Sequence, residues 1–141
     1  MEVDRTRSVG PLVRASVAAG FVFGTLSVIA GTRVLAGVDR PDYVVLPWLV
    51  GYNVAAGIAA AVAGAGLWWL RSWAVWLART LAVLHGAVLI LLLGRLVSGG
   101  SVAVDSVMAM LIRAALWGWI AVVTSRARRP TAGRAPVPSG R

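Results

Sequence analysis

Apolar residues fall into four long runs along this chain, about residues 12–35, 46–70, 73–97 and 101–124, separated by short polar or glycine-containing breaks. At 1.5 Å of helical rise per residue, such runs match a hydrocarbon core of about 30 Å. The pattern predicts an all-α fold, a four-transmembrane-helix antiparallel bundle. Residues 1–10 form an expected cytoplasmic N-terminal tail, 11–125 the membrane domain and 126–141 a disordered basic cytoplasmic tail.

The breaks carry helix punctuation. Pro11 and Pro47 suit first helical turns. Arg71 and Ser72 mark a very short turn, and Gly99 and Gly100 mark a flexible one, with Ser101 as the expected N-cap of the last helix and Asp105 in its first turn. Gly20 and Gly24 stand at the spacing that lets two helices approach closely. The second run is rich in Gly and Ala, which predicts a tightly packed, central helix, set against the Gly20/Gly24 face. Val34, Leu35 and Ala36 resemble a signal cleavage site, but the length of the first run and Arg33 argue against cleavage.

Charge adds an orientation. The formal net charge is +9, from fourteen basic residues and five acidic ones, and every basic residue is Arg. With four spans, both termini share one side. That side receives Arg5, Arg7, Arg71 and the tail arginines, with Arg14 and Arg79 nearby. The other side has Arg33 and Arg40, offset by Asp39 and Asp42. The positive-inside rule then makes the termini cytoplasmic; a multi-pass protein of the bacterial inner membrane is expected. Trp68, Trp69, Trp73, Trp76, Trp117 and Trp119 form an expected aromatic belt on the same side. The expected partners are the lipid bilayer, anionic headgroups at the basic tail, and a homo-oligomer or larger membrane complex. Nucleic-acid binding would need a soluble face that this pattern does not provide.

Composition narrows the chemistry. Hydrophobic residues make up 59% of the chain and charged ones 13%, about half the usual share. There is no Cys, which excludes thiolate catalysis and Cys-based metal sites. No nucleotide loop, zinc motif or nucleophile elbow occurs. No metal, no cofactor and no enzymatic activity are expected.

Three polar residues stand inside the runs. Arg113 lies near the middle of the last one, where a charge costs about 2.5–3.5 kcal/mol even on the lenient insertion scale. Its stem leans toward its own N-terminus, hence outward, to the level of Asn53. His85 sits at similar depth but leans inward, so the two tips are expected to diverge. Asn53, His85 and Arg113 are therefore the candidate ligand-binding residues. Asp105 and Arg95 are candidates for the outer rim; Asp105 is too far around the helix to pair directly with Arg113. Arg79 is expected to snorkel to the cytoplasmic interface.

Two segments carry a resemblance. One is Gly51-Tyr52-Asn53, Gly57, Gly64-Ala65-Gly66-Leu67-Trp68, then Arg71-Ser72-Trp73-Ala74. The other is Gly99-Gly100, Asp105-Ser106-Val107-Met108-Ala109-Met110, Arg113 and Trp117. Together they resemble small four-span bacterial membrane proteins of the DoxX type. The resemblance implies a four-helix bundle. It also implies quinone or thiol-oxidation partners, although this chain brings no thiol. Three functions are consistent with the sequence. The first is a non-enzymatic subunit or accessory of a membrane assembly. The second is a small carrier, channel or ligand-binding protein with an outward-facing Asn53/Arg113 pocket. The third is a membrane redox subunit using His85.

Overall fold

The computed structural model describes residues 10–69 and 71–127. The expected N-terminal tail up to residue 9, and the basic tail beyond 127, lie outside the described residues. Four helices account for nearly all of the rest: α1 (Pro11–Leu35), α2 (Pro47–Trp68), α3 (Ser72–Val97) and α4 (Val104–Ala127). No strand occurs among the described residues. All four helices are long and apolar enough to cross a membrane, and the chain is a multi-pass membrane protein.

The side-chain contacts give the helix directions. Phe21 meets Gly64, Gly24 meets Ala60 and Gly31 meets Val54, so α1 and α2 run antiparallel. Tyr52 bonds His85 while Gly66 meets Trp73, so α3 reverses again. Arg79 bonds Ser125, and on the α1 side Ser16 bonds Trp119 and Ser27 bonds Arg113, which closes the ring through α4. The termini and the α2–α3 turn therefore share one end of the bundle. The other end, here the loop end, holds connections 36–46 and 98–103.

Pro11 and Pro47 both occupy first-turn positions, as the sequence predicts. The end of α3 is better defined than a flexible glycine break. Gly99 adopts φ 76°. Its N–H donates to the Leu96 carbonyl at 3.1 Å, and the Gly100 N–H donates to the Arg95 carbonyl at 2.8 Å. This pair of bonds is a Schellman cap, and the left-handed residue it requires favours glycine. Ser101 is not an N-cap. The chain continues without helix to Ala103, whose carbonyl accepts from Ser106 and Val107 and starts α4 at Val104. Asp105 keeps its first-turn place. α4 also extends two residues past the expected boundary, so Arg126 and Ala127 belong to it.

Packing between α1 and α2 rests on absent side chains. Gly24 faces the Gly57 carbonyl and Ala60, as expected for a small-residue seam. Gly20 does not share that contact; it faces Trp117 and Ile120 of α4. The α1 face thus serves two neighbours. α2 is the most buried helix and α3 the most exposed. Two apolar clusters result. One, at the termini end, gathers Val17, Ala60, Leu67, Leu81, Trp117 and Ile120; the other, at the loop end, gathers Leu49, Leu92 and Met110. Trp117 is accordingly a core residue, 2% exposed, and not part of an interfacial belt. Trp68, Trp69, Trp73, Trp76 and Trp119 are exposed. Trp119 donates its indole N–H to Ser16 Oγ at 3.1 Å. Arg79 lies over the Trp76 ring at 5.1 Å and donates to Ser125 Oγ at 2.9 Å.

Arg33 and Asp39 form a two-pronged pair, Nε to Oδ2 and Nη2 to Oδ1, both at 2.8 Å. The guanidinium hydrogen bonds hold the Asp39 carboxyl below its usual range. A lowered native value means that the pair supports the fold above the ordinary carboxylate range, and that this support fades as pH falls through the lowered value. An NMR titration of Asp39 should show a lowered midpoint that returns toward about 3.9 in Arg33→Gln; an unchanged midpoint would contradict the pairing. The pair is exposed, so its effect on overall stability is small.

Candidate functional site

The polar residues inside the bundle collect between the two apolar clusters. Tyr52 of α2 packs against both. Its hydroxyl shares a hydrogen bond of 2.7 Å with Nδ1 of His85, and the two rings meet edge to face at 5.7 Å. His85 is 2% exposed and is held in place by this contact. Tyr52 is a residue that sequence reasoning missed.

Arg113 reaches from α4 toward α1. Its Nη2 donates to Ser27 Oγ at 3.2 Å, and Ser27 Oγ in turn donates to the Phe23 carbonyl at 2.8 Å. Ser27 is the second missed residue. A guanidinium has five N–H donors. Here one is used, in a long bond, and no carboxylate pairs with Arg113 among the described residues. Asn53 is less satisfied still. Its Oδ1 is buried and has no hydrogen-bond partner.

A charge in the bilayer interior costs about 2.5–3.5 kcal/mol. An orphaned buried acceptor costs about 1–3 kcal/mol. One hydrogen bond from a charged donor returns about 1.5–3 kcal/mol at good geometry, and the bond to Ser27 is long. Protein side chains alone therefore satisfy this cluster incompletely, which marks it as a candidate site.

Two cavities meet at these side chains. The deeper is a void of about 10 Å³ lined by Ser27, Asn53, His85, Arg113 and Trp117 among others, marginal for one water. It brings together the three candidate residues. The expected divergence of His85 and Arg113 is thus only partial: they make no hydrogen bond to each other, yet they border the same space. The larger cavity measures about 270 Å³ and opens at the loop end. Arg113, Asn53 and Ser27 line its depth, with Tyr43, Asp105 and Ser106 nearer the mouth. Asp105 and Arg113 share this wall without forming an ion pair. Arg95, the other expected rim residue, does not line the cavity; it is exposed on the last turn of α3.

This arrangement offers polar groups for binding. Asp105 is the one carboxylate lining the cavity, and no cluster of three or more His, Asp or Glu suited to a metal occurs among the described residues. Met110 is fully buried in the core while Met108 is 50% exposed, so the two methionines do not converge on His85. Compared with known proteins, the chain matches no family model, no curated protein sequence and no solved structure.

Proposed function

We propose that this protein is a non-enzymatic membrane protein that binds a small anionic molecule in an outward-facing pocket. One observation carries the reading: Arg113, without a carboxylate partner, lies at the depth of a cavity of about 270 Å³. A guanidinium with free donors in a sheltered setting favours a carboxylate or phosphate oxygen pair. In this reading Arg113 holds the anionic group with the guanidinium donors that Ser27 does not engage, and Asn53 lines the wall of the same cavity. His85, fixed by Tyr52, lines the smaller void and not this cavity.

The orientation belongs to the same proposal. Arg14, Arg71, Arg79 and Arg126 lie toward the termini end, whereas the arginines toward the loop end are accompanied by Asp39, Asp42 and Asp105. This supports cytoplasmic termini in a bacterial plasma membrane, with the cavity open to the outside. Kinship with DoxX-type proteins is proposed on the quoted segments alone.

A second reading has its own support. The exposed surface of α3 carries Val83, Ile90 and Val97, and Gly86 and Gly94 have open space where a Cβ would stand. Such a surface admits a close helix neighbour, as in a subunit of a larger assembly. Native mass spectrometry from detergent distinguishes the two readings. A small ligand retained by the wild type and lost in Arg113→Ala supports the pocket. An oligomer carrying no ligand supports the assembly role and rejects the pocket.

A further inference from the structure

The larger cavity carries charge of both signs, and this bears on the class of molecule it holds. Arg113 lies at depth without a carboxylate, and Asp105 stands near the mouth without an arginine among the described residues. The two positions are eight residues apart on α4. That is roughly 12 Å along the axis. The Arg113 stem leans toward the loop end and shortens the gap. On α2, Asn53 lines the same cavity, and its buried Oδ1 lacks a donor. The site therefore offers an anion binder and an unsatisfied acceptor at depth and a negative rim nearer the mouth.

We infer that the ligand is a small zwitterion: a carboxylate or phosphate ester that also bears an ammonium group. The inference rests on the anion-binding role of Arg113 proposed above. The anionic end pairs with the guanidinium. The ammonium faces Asp105, and Asn53 Oδ1 accepts from it once that side chain turns into the cavity. Other ligand classes fit less well. A multiply charged anion meets the Asp105 carboxylate at the entrance. A simple cation meets Arg113. An uncharged polar molecule leaves the guanidinium unpaired. Size narrows the choice further. The volume of about 270 Å³ lies just under the range of about 300–1,000 Å³ typical of drug-sized ligands, which limits the occupant to a small molecule. Short amino acids and aminoalkyl phosphates fit this description. The same chemistry occurs free in solution and as the phosphoethanolamine headgroup of a lipid.

The test uses the full chain in phosphatidylcholine nanodiscs and calorimetric titration. The probes are β-alanine and phosphoethanolamine, against acetate, inorganic phosphate and ethylamine. At least one zwitterion should bind about tenfold or more tightly than every singly functional probe. Asp105→Asn should reduce that ratio to about threefold or less and strengthen inorganic phosphate. Acetate or phosphate binding as tightly as both zwitterions, and depending on Arg113, would overturn the zwitterion while leaving the anion pocket standing. No binding of any probe by folded protein would overturn both. Repeating the titration in phosphatidylethanolamine nanodiscs assigns the source. Weakened binding of the soluble zwitterion supports a headgroup occupant, and unchanged binding supports a soluble one.

Discussion

Gly24→Ala should destabilise the bundle by about 1–3 kcal/mol, the range for inserting a methyl into a filled interface. A Cβ at Gly24 would lie 2.8 Å from Ala60 Cβ, 2.9 Å from the Gly57 carbonyl oxygen and 3.0 Å from the Ala61 nitrogen. Two of those atoms are backbone, and the third is a side chain with no freedom to turn. Relief requires α1 and α2 to separate, which loosens the whole small-residue seam. Gly86→Ala provides the matched control. The same methyl there meets nothing within 4 Å, and alanine is the better helix former. Thermal unfolding in detergent should show a lowered midpoint for Gly24→Ala and an unchanged or raised one for Gly86→Ala. Equal behaviour of the two variants would mean that the α1–α2 seam is not packed as described.

Arg113→Ala should weaken anion binding roughly 100-fold, about 2.7 kcal/mol, within the range for losing one partner of a buried charged pair. Stability should move the other way. Removing a poorly satisfied charge from the bundle interior relieves a cost, and Arg113→Leu fills the space with apolar volume of a kind the membrane accepts. The predicted signature is a split: Arg113→Leu folds as well as or better than the wild type, yet binds no ligand. A variant that unfolds would assign Arg113 to structure. A variant that folds better and keeps full function in the cell would remove the site altogether.

The four spans were legible because each apolar run is as long as a bilayer is thick, and because proline or glycine stands at most of their ends. The phase of each helix was harder to read, and the errors follow from that. Depth alone places Trp117 at the interface. Its helical face says otherwise: Met110, Trp117, Ile120, Ala121 and Thr124 are buried together at spacings of three, four and seven residues. Ser27 was missed for a similar reason. Gly20, Gly24, Ser27 and Gly31 form one buried stripe on α1, and a hydroxyl in a stripe of glycines is well placed to meet a neighbour's polar group. Tyr52 gave less warning. Its bond to His85 joins residues 33 apart in sequence, and nothing local to either residue announces it. Asn53 and Arg113 were legible because a polar side chain in an apolar run is costly wherever its helix packs. The cap of α3 shifted the start of α4, since the Schellman bonds end at Gly100 and leave Ser101 outside any helix.

On the proposed orientation, the cavity that reaches Arg113 is open to water on the outer side of the membrane. The chain contains no cysteine, so single-cysteine variants report one position each. Ala109 lines the cavity between Asp105 and Arg113, and Ala115, exposed on the outside of α4, does not. Intact cells expressing Ala109→Cys or Ala115→Cys, treated with a membrane-impermeant maleimide, provide the measurement. Labelling at 109 from the outside, with none at 115, is the predicted result. Ala109→Cys that stays unlabelled from the outside, or reacts only after the cytoplasmic face is opened, would contradict it.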